Sequence, residues 1–432
     1  MQAHTVHSRC PSPFQLTLRP LLAALAAAGS AGAWAADPSP YYIGVTQGVT
    51  HDSNALRTPG GPSDTYFTTS LVGGIDQPIG RQRLYANATV GYNKYRNLDS
   101  QDNTSYGATA GWDWATIEKL SGNFSLNANQ SLASLNGNFG ATTTPTSRRN
   151  LLKTDQLAAT IRWGGDGLLS LESSYAHSRV RYSAPEARSS ESSADSLSLG
   201  LYYRPSPDLK LGTAVRYVRT DSPYAVPLAS GGFQSNTGTV RYLDLLADWR
   251  PTAQTGLNGR VSVTRQSNSN AGGRDFSGLT GSLAGRYAPT AKLGFSASIG
   301  RDVGSNAQYY NYTGTTGTLT QTLSGLAENS QTTDSVNLGA TYEVTSKIGM
   351  TAGYTYRRSK LIDAVGGGSS ATQERTDNFS NASLGANYAF ARYLTFACSV
   401  AHESRRIGGT PVLASVSYGA NVVGCSAQLI LR

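Results

Sequence analysis

Apolar and polar residues alternate along nearly the whole chain from Tyr41 onward. In the segment 120–129, for example, Leu120, Phe124 and Leu126 alternate with the polar residues Ser121 and Asn127. A pattern with a period of two predicts a β-strand that has one apolar face and one polar face. The chain therefore predicts an extensive β-sheet whose two faces meet different surroundings.

Composition favours the same fold class. Charged residues make up 15% of the 432 residues, and the chain contains 47 glycines and 24 tyrosines, whereas a soluble domain has about 25% charged residues. Three cysteines are too few for a disulfide-based scaffold. Apart from the N-terminus, apolar runs fall well short of the roughly 18 residues that a spanning helix needs. An all-β protein is the expectation that remains.

The alternating pattern divides into eighteen segments separated by turns and loops. The segments begin near residues 41, 65, 82, 104, 120, 151, 167, 194, 210, 237, 256, 276, 292, 335, 347, 378, 392 and 414. Short connections, such as 116–119 and 252–255, alternate with long ones, such as 51–64 and 135–150. Short turns at one rim and long loops at the other are typical of outer-membrane barrels. An even number of strands places both termini at the short-turn rim, which is the periplasmic side.

A closed antiparallel transmembrane β-barrel of about 18 strands explains this pattern better than a soluble β-sandwich. Most segments have about 11 residues, which is long enough for a tilted strand to cross a bilayer. Aromatic residues occur at the ends of the apolar stripes, where they suit the boundary between lipid and water. These residues are Trp112, Trp114, Trp249, Tyr287, Tyr354, Tyr356, Tyr388 and Phe390. Closure also gives every backbone donor and acceptor in lipid a partner.

The first 35 residues have the features of a cleaved signal peptide. Arg9 and Arg19 precede the apolar run Leu21–Ala28, and Ala33-Trp34-Ala35 fits a cleavage site before Ala36. A short buried helix is the alternative interpretation. The prediction is therefore an exported protein with residues 36–432 as a single barrel domain, in the outer membrane of a Gram-negative bacterium.

Eighteen strands enclose a barrel wide enough for an aqueous lumen. The polar faces predict nine candidate lumen-lining residues, which are Arg83, Asp113, Arg162, Arg216, Asp244, Arg260, Arg286, Glu343 and Arg357. Either these charges accompany a polar, acidic cargo, or they brace the wall through ion pairs. The long connection 303–334 is expected to be a solvated loop or, alternatively, a gate or recognition element.

Motifs for catalysis and cofactors are absent from the sequence. His51, His177 and His402 lie in different segments without metal-ligand spacing, and no phosphate-binding loop follows a strand and opens a helix. Lysine and arginine are dispersed, so no nucleic-acid partner is expected. We therefore expect no enzyme activity, no metal and no cofactor.

Cys398 and Cys425 lie on the last two strands, where they form either a cross-strand disulfide or two separate buried thiols.

The first mature strand and loop contain HDSNALR, residues 51–57. This segment resembles the D-[SD]-N-x-x-R pattern of the β-barrel porin 2 family, which includes exopolysaccharide-operon proteins of the EpsL type. Asp52, Asn54 and Arg57 occupy the pattern positions, where Asp and Asn also favour tight turns. The chain departs from outer-membrane barrels in ending at Arg432 rather than at an aromatic residue.

The resemblance implies an outer-membrane channel for export of an exopolysaccharide. Its implied partners are outer-membrane lipid, the secreted polysaccharide and a periplasmic polysaccharide-export protein. A diffusion porin for small polar or anionic solutes is the principal alternative, and an adhesive barrel is another. Because a sliding glycan needs many weak contacts, no tight binding site is expected.

Overall fold

A computed structural model describes residues 39–133, 148–165, 167–227, 232–269, 275–303, 330–364, 372–408 and 417–432. The chain separates into a unit of Met1–Ser39 and a unit of Pro40–Arg432, and the second unit is a β-barrel. The predicted signal peptide at 1–35 and residues 304–329 of the predicted loop lie outside the described residues. Signal cleavage and the role of that loop therefore stay predictions.

The described ranges contain eighteen β-strands. They are β1 (Tyr41–Asp52), β2 (Asp64–Ile79), β3 (Gln82–Tyr95), β4 (Asn103–Ala115), β5 (Leu120–Leu132), β6 (Leu151–Trp163), β7 (Leu169–Tyr182), β8 (Ser192–Ser206), β9 (Leu209–Pro227), β10 (Phe233–Thr252), β11 (Thr255–Asn268), β12 (Phe276–Thr290), β13 (Leu293–Val303), β14 (Ser330–Glu343), β15 (Ile348–Ala364), β16 (Thr372–Ala391), β17 (Leu394–Gly408) and β18 (Tyr418–Leu431). Two short 3-10 helices, Asp99–Gln101 and Pro185–Ser190, lie in the connections. Among the described residues, no helix is long and apolar enough to cross a bilayer.

Each strand pairs antiparallel with its neighbours in sequence, and β1 also pairs with β18. In this last pairing Ile43 lies opposite Leu431 and Asp52 lies opposite Val422, so the seam is continuous from Ile43 to the end of β1. The sheet is thus closed and has no free edge. The predicted fold class, a closed antiparallel barrel of 18 strands, is confirmed.

The two faces of the barrel wall differ in polarity. Leu71, Leu245 and Val263 are each about 60% exposed on the outer face, whereas Ser262 and Thr264 on the inner face are fully buried. The apolar side chains are therefore on the outside, which is the reverse of a soluble protein. An outward apolar surface of this kind suits contact with lipid acyl chains.

Connection lengths alternate as the sequence predicted. Two residues separate β2 from β3, β8 from β9, and β10 from β11, whereas residues 53–63 separate β1 from β2 and residues 304–329 separate β13 from β14. The start of β1 and the end of β18 both lie at the short-turn rim. Which side of a membrane this rim faces stays a prediction.

The strands are longer than the expected 11 residues. Only β13 has 11 residues, while β10 and β16 have 20 each. The extra length lies at the long-loop ends, where β15 and β16 stay paired as far as Ala364 and Thr372. The start of β16, residues 372–377, has the sequence TQERTD, so no apolar stripe marks it in the sequence.

Aromatic side chains form a belt on the outer face near the short turns. Trp249 and Tyr287 are close to half exposed there. Phe390 packs edge-on against Tyr388 and Phe396, with ring centroids 6.2 and 6.3 Å apart. Tyr354 lies farther from the short turns, opposite Leu338 on β14. Tyr354 and Tyr356 end the apolar stripe of β15, since the next residue on that face is Arg358. The belt itself has the composition and position of a lipid headgroup boundary.

Candidate functional site: the lumen wall

The strand register places all nine candidate lumen-lining residues on the inner face. Each one alternates along its strand with the outward residues described above, as Arg216 does with the exposed Val215 and Tyr217. The nine residues are Arg83, Asp113, Arg162, Arg216, Asp244, Arg260, Arg286, Glu343 and Arg357. Their surroundings differ strongly, and these differences separate bracing residues from available charges.

A buried ladder of charges crosses β9 to β13. The Arg216 guanidinium donates to Asp244 at 3.1 Å and lies 3.7 Å from the centre of the Tyr242 ring. Asp302 accepts hydrogen bonds from the Tyr242 hydroxyl at 3.1 Å and from Arg260 Nη2 at 3.0 Å. We call these five residues the lumen ladder. Asp244 and Arg216 are less than a tenth exposed, so these two opposite charges are paired within the wall.

Apolar residues pack against the ladder. Tyr242 forms a buried cluster with Val218, Val240 and Val303, and Phe276 packs against this cluster. An ion pair that is enclosed in this way is costly to break, because removing one partner leaves an uncompensated charge. The ladder therefore favours the bracing interpretation for Arg216, Asp244 and Arg260.

Charges near the short turns are paired but exposed. Arg83 makes two hydrogen bonds to Asp76, at 2.7 and 2.6 Å, and lies 3.9 Å from Asp113. Arg83 and Asp76 are about half exposed. Arg162, near the short-turn end of β6, donates to Glu172 on β7 at 2.8 Å. These pairs contact solvent, so they can exchange partners with a passing ligand at low cost.

Arg286 and Glu343 are exposed on the inner face, and neither side chain has an ion-pair or hydrogen-bond partner among the residues that the structure describes. The Arg357 guanidinium lies 5.2 Å from the centre of the Phe379 ring. Of the nine candidates, Arg286 and Glu343 are therefore the side chains whose charge is most available to a solute.

Three inward tyrosines pack into the space above glycines of a neighbouring strand, an arrangement that the sequence reading missed. A side-chain carbon at Gly74 would lie 2.7 Å from the ring of Tyr42. The Tyr85 ring fills the corresponding space at Gly111, and a third tyrosine, Tyr202, fills it at Gly212. The rings therefore lie against the wall while remaining partly exposed to the lumen. Which glycine each ring covers depends on the strand register. In the sequence, only the excess of glycine and tyrosine could have indicated such packing.

Two cations lie beside these rings. The Arg83 guanidinium is 5.2 Å from the centre of the Tyr85 ring, and the Lys210 ammonium is 3.9 Å from the centre of the Tyr202 ring. Lys210 also lies 3.9 Å from Glu172. Each of these two positions combines an aromatic surface with a cation, which is a favourable combination for cation–π contact.

The motif residues Asp52, Asn54 and Arg57 form a compact loop at the long-loop rim. Arg57 Nη1 donates 2.6 Å hydrogen bonds to Asp52 Oδ2 and to the Asn54 carbonyl. The backbone N–H of Asn54 donates to Asp52 Oδ1 at 2.9 Å, and Asn54 Oδ1 accepts from the N–H of Thr58 at 3.1 Å. Asp and Asn side chains commonly stabilise turns by such local bonds.

This loop also fastens the barrel seam. Arg57 Nε donates to Glu403 Oε2 at 3.3 Å, the Tyr418 hydroxyl donates to Glu403, and Asn54 Nδ2 donates to the Gly419 carbonyl at 3.0 Å. Burial lowers the pKa of Arg57, but the Glu403 and Asp52 carboxylates outweigh it and raise that pKa overall. The motif thus ties β1 to β17 and β18, which is a structural role.

Cys398 and Cys425 lie directly opposite each other on β17 and β18, with Cα atoms 4.1 Å apart, and are bonded as a disulfide. They alternate with inward residues, so the disulfide is on the outer face.

Within the described ranges, no group of three or more His, Cys, Asp or Glu side chains could hold a metal ion. His177 and His402 instead contact Asp195 and Asn421, at 2.9 and 2.8 Å.

No protein-family model matches this chain, and no curated protein matches it. Similar solved structures include the siderophore receptor PirA from Acinetobacter baumannii, with 8% identity over 92% of this chain and 81% of that chain and a TM-score of 0.42. They also include Acinetobacter baumannii OccAB4, with 12% identity, 91% and 99% coverage and a TM-score of 0.42. Pseudomonas aeruginosa OpdL has 11% identity, 91% and 99% coverage and a TM-score of 0.41. At these values the function has to be argued from the residues of this chain.

Proposed function

We propose that this chain is an outer-membrane channel through which a secreted exopolysaccharide leaves the cell. The closed barrel supports a membrane location, since its apolar side chains face outward and its backbone is paired all round. The enclosed polar face supports a conduit, because a polar polymer needs a hydrated path through lipid.

The packing of tyrosines on glycines is the observation that carries this proposal. Tyr42, Tyr85 and Tyr202 line the wall with partly exposed rings. A flat ring suits the C–H face of a sugar, while its position against a glycine keeps the path open. Arg83 and Lys210 beside two of these rings suit the acidic groups of an anionic glycan.

Amides and hydroxyls supply the weaker contacts. On β4 and β5 the inner face carries Thr109, Asn123 and Asn127, and Thr109 donates to Asn127 at 2.9 Å. Such groups can exchange their hydrogen bonds with sugar hydroxyls. Many weak, similar contacts allow a polymer to enter and also to leave, which conduction requires.

The proposal has consequences for partners and orientation. The short-turn rim would face the periplasm with both termini, and a periplasmic polysaccharide-export protein would meet the barrel there. The exposed charges of Arg83, Asp76 and Asp113 offer polar contacts at this rim. The resemblance of residues 51–57 to exopolysaccharide-operon proteins of the EpsL type supports the same function, and no enzymatic step is part of it.

A diffusion porin for small polar or anionic solutes is the second candidate. Arg286 favours it, because its guanidinium is exposed on the inner face without an ion-pair or hydrogen-bond partner among the described residues. Such a cation can attract a small anion without requiring a polymer. The two functions differ in what is lost when the protein is removed.

A clean deletion in the native host separates the two functions. For an export channel, deletion abolishes surface and secreted polysaccharide, leaves uptake of small solutes intact, and is restored by the wild-type chain. Unchanged polysaccharide together with impaired solute uptake would favour the diffusion porin and overturn the export proposal.

A further inference from the structure

Two arginines face each other on the outer wall of the barrel. Arg241 on β10 is directly opposite Arg265 on β11 in the strand register, and both side chains are exposed. Neither guanidinium has a hydrogen-bond or ion-pair partner within the part of the chain that the structure describes. Like charges in directly opposed positions of a sheet destabilise it. The arrangement is therefore unfavourable unless an anion lies between the two groups.

A third arginine flanks this pair. Arg219 on β9 lies opposite Thr239, two residues along β10 from Arg241, and is also on the outer face. Its guanidinium contacts Asp221 at 3.2 Å. We call Arg219, Arg241 and Arg265 the arginine patch. Asp195 on β8 lies opposite Arg219 as a second acid. Against Asp221 and Asp195, the three arginines keep an excess of one positive charge.

The position of the patch relative to the apolar belt indicates the kind of anion. Eight residues separate Arg241 from the belt residue Trp249 on the same strand. At a rise of about 3.4 Å per residue and a tilt of about 40°, Arg241 lies about 21 Å above Trp249. The apolar band of a transmembrane barrel is about 25 Å tall. The patch therefore lies at the upper edge of the band, at the long-loop end.

Apolar side chains fill the wall directly below the patch. Leu243, Leu245, Val261 and Val263 are between 51% and 62% exposed on the same outer face. A soluble phosphate ion would gain no binding energy from this apolar surface. A phosphorylated lipid, in contrast, would place its phosphate at the guanidinium groups and its acyl chains along the leucines and valines.

We infer that the arginine patch binds the phosphate groups of a phosphorylated glycolipid of the outer leaflet. Guanidinium groups form paired hydrogen bonds with phosphate, which makes arginine well suited to this role. The inference rests on the proposed outer-membrane location and on the long loops facing outward, but not on what passes through the lumen.

The test measures binding to the purified full-length barrel in neutral detergent. Three probes are compared, namely bisphosphorylated lipid A, the same lipid after phosphate removal, and inorganic phosphate. We expect tight binding of the first probe only, and at least a tenfold loss of affinity in the double variant R241Q/R265Q. The matched control is R250Q, at the short-turn end of the same strand, which should bind like the wild type.

Thermal unfolding gives a second readout, because the order of the wild-type and R265Q melting temperatures should reverse when lipid is added. Without lipid, R265Q should melt at or above the wild-type temperature, since one of two opposed charges is gone. With bisphosphorylated lipid A, the wild type should gain stability and R265Q should gain little. This pattern also shows that the variant folds.

Equal binding of intact and dephosphorylated lipid, or wild-type affinity in R241Q/R265Q, would overturn the inference. Competition by inorganic phosphate at the same concentration as the lipid would indicate a site for soluble anions instead. A barrel that folds and fails to bind lipid refutes this inference and leaves the export proposal untouched. The secretion phenotype of the deletion strain tests the export proposal alone.

Discussion

Arg57 donates a 2.6 Å hydrogen bond to Asp52, its neighbour by five positions, and also contacts Glu403, which is 346 positions away. One side chain thus joins the first strand of the barrel to the last two. The seam between β1 and β18 is the pairing that closes the barrel, and this contact holds its long-loop end.

Replacing Arg57 by alanine should weaken the seam. The substitution removes three hydrogen bonds and leaves Asp52 and Glu403 largely buried without their cation. We expect the free energy of unfolding in detergent to fall by about 1–3 kcal/mol, measured by urea titration. R83A is the matched control, since its pair with Asp76 is half exposed and should contribute less than about 1 kcal/mol. Equal losses in both variants would contradict a special role for the seam.

Gly111 and Gly107 provide a matched pair on the inner face of β4. A side-chain carbon at Gly111 would clash with the Tyr85 ring, whereas at Gly107 it would meet no atom within 4 Å. G111A should push the ring into the lumen, lower the conductance in planar bilayers, and destabilise the barrel by about 1–3 kcal/mol. G107A should leave both quantities unchanged. Identical behaviour of the two variants would mean that the ring is not held against the wall.

Arg286 should influence ion selectivity. Its guanidinium is exposed on the inner face without a partner among the described residues, so R286E reverses an available charge. We expect the reversal potential in a salt gradient to shift toward cations. R216Q should shift it less, because the Arg216 charge is already balanced by the buried Asp244. A larger shift in R216Q than in R286E would contradict this assignment of available and bracing charges.

The disulfide between Cys398 and Cys425 can be tested chemically. The unreduced mature protein, unfolded in the presence of a thiol reagent, should show no reactive thiol, because these are its two cysteines once residues 1–35 are removed. A digest should contain one disulfide-linked peptide pair that separates on reduction. Two reactive thiols before reduction would exclude the bond.

The sequence predicted the strand number and most strand starts, because the contrast between an apolar and a polar face marks each crossing. β6 begins at Leu151 and β12 at Phe276, as predicted. The starts of β14 and β16 were placed five and six residues too late, at 335 and 378 rather than at Ser330 and Thr372. There the strands run beyond the lipid, both faces are polar, and the alternation carries no signal.

The contacts within the wall could not be predicted from the sequence, because they depend on the strand register and on residues that lie far apart in the chain. Arg260 meets Asp302 across an intervening strand, and Asn54 meets Gly419 at a separation of 365 positions. The motif Asp52, Asn54 and Arg57 was visible as a pattern, and turn chemistry was one of its two readings. Its bonds to Glu403 and Gly419 became evident only from the closed barrel.

Single-channel recording of the purified barrel with the purified polysaccharide tests the central claim most directly. The proposal predicts transient current blockades when the polysaccharide is added on the short-turn side, with durations that increase with chain length and shorten in the Y85A/Y202A variant. A steady current that no length of the polysaccharide interrupts, in a barrel that conducts small ions freely, would contradict it.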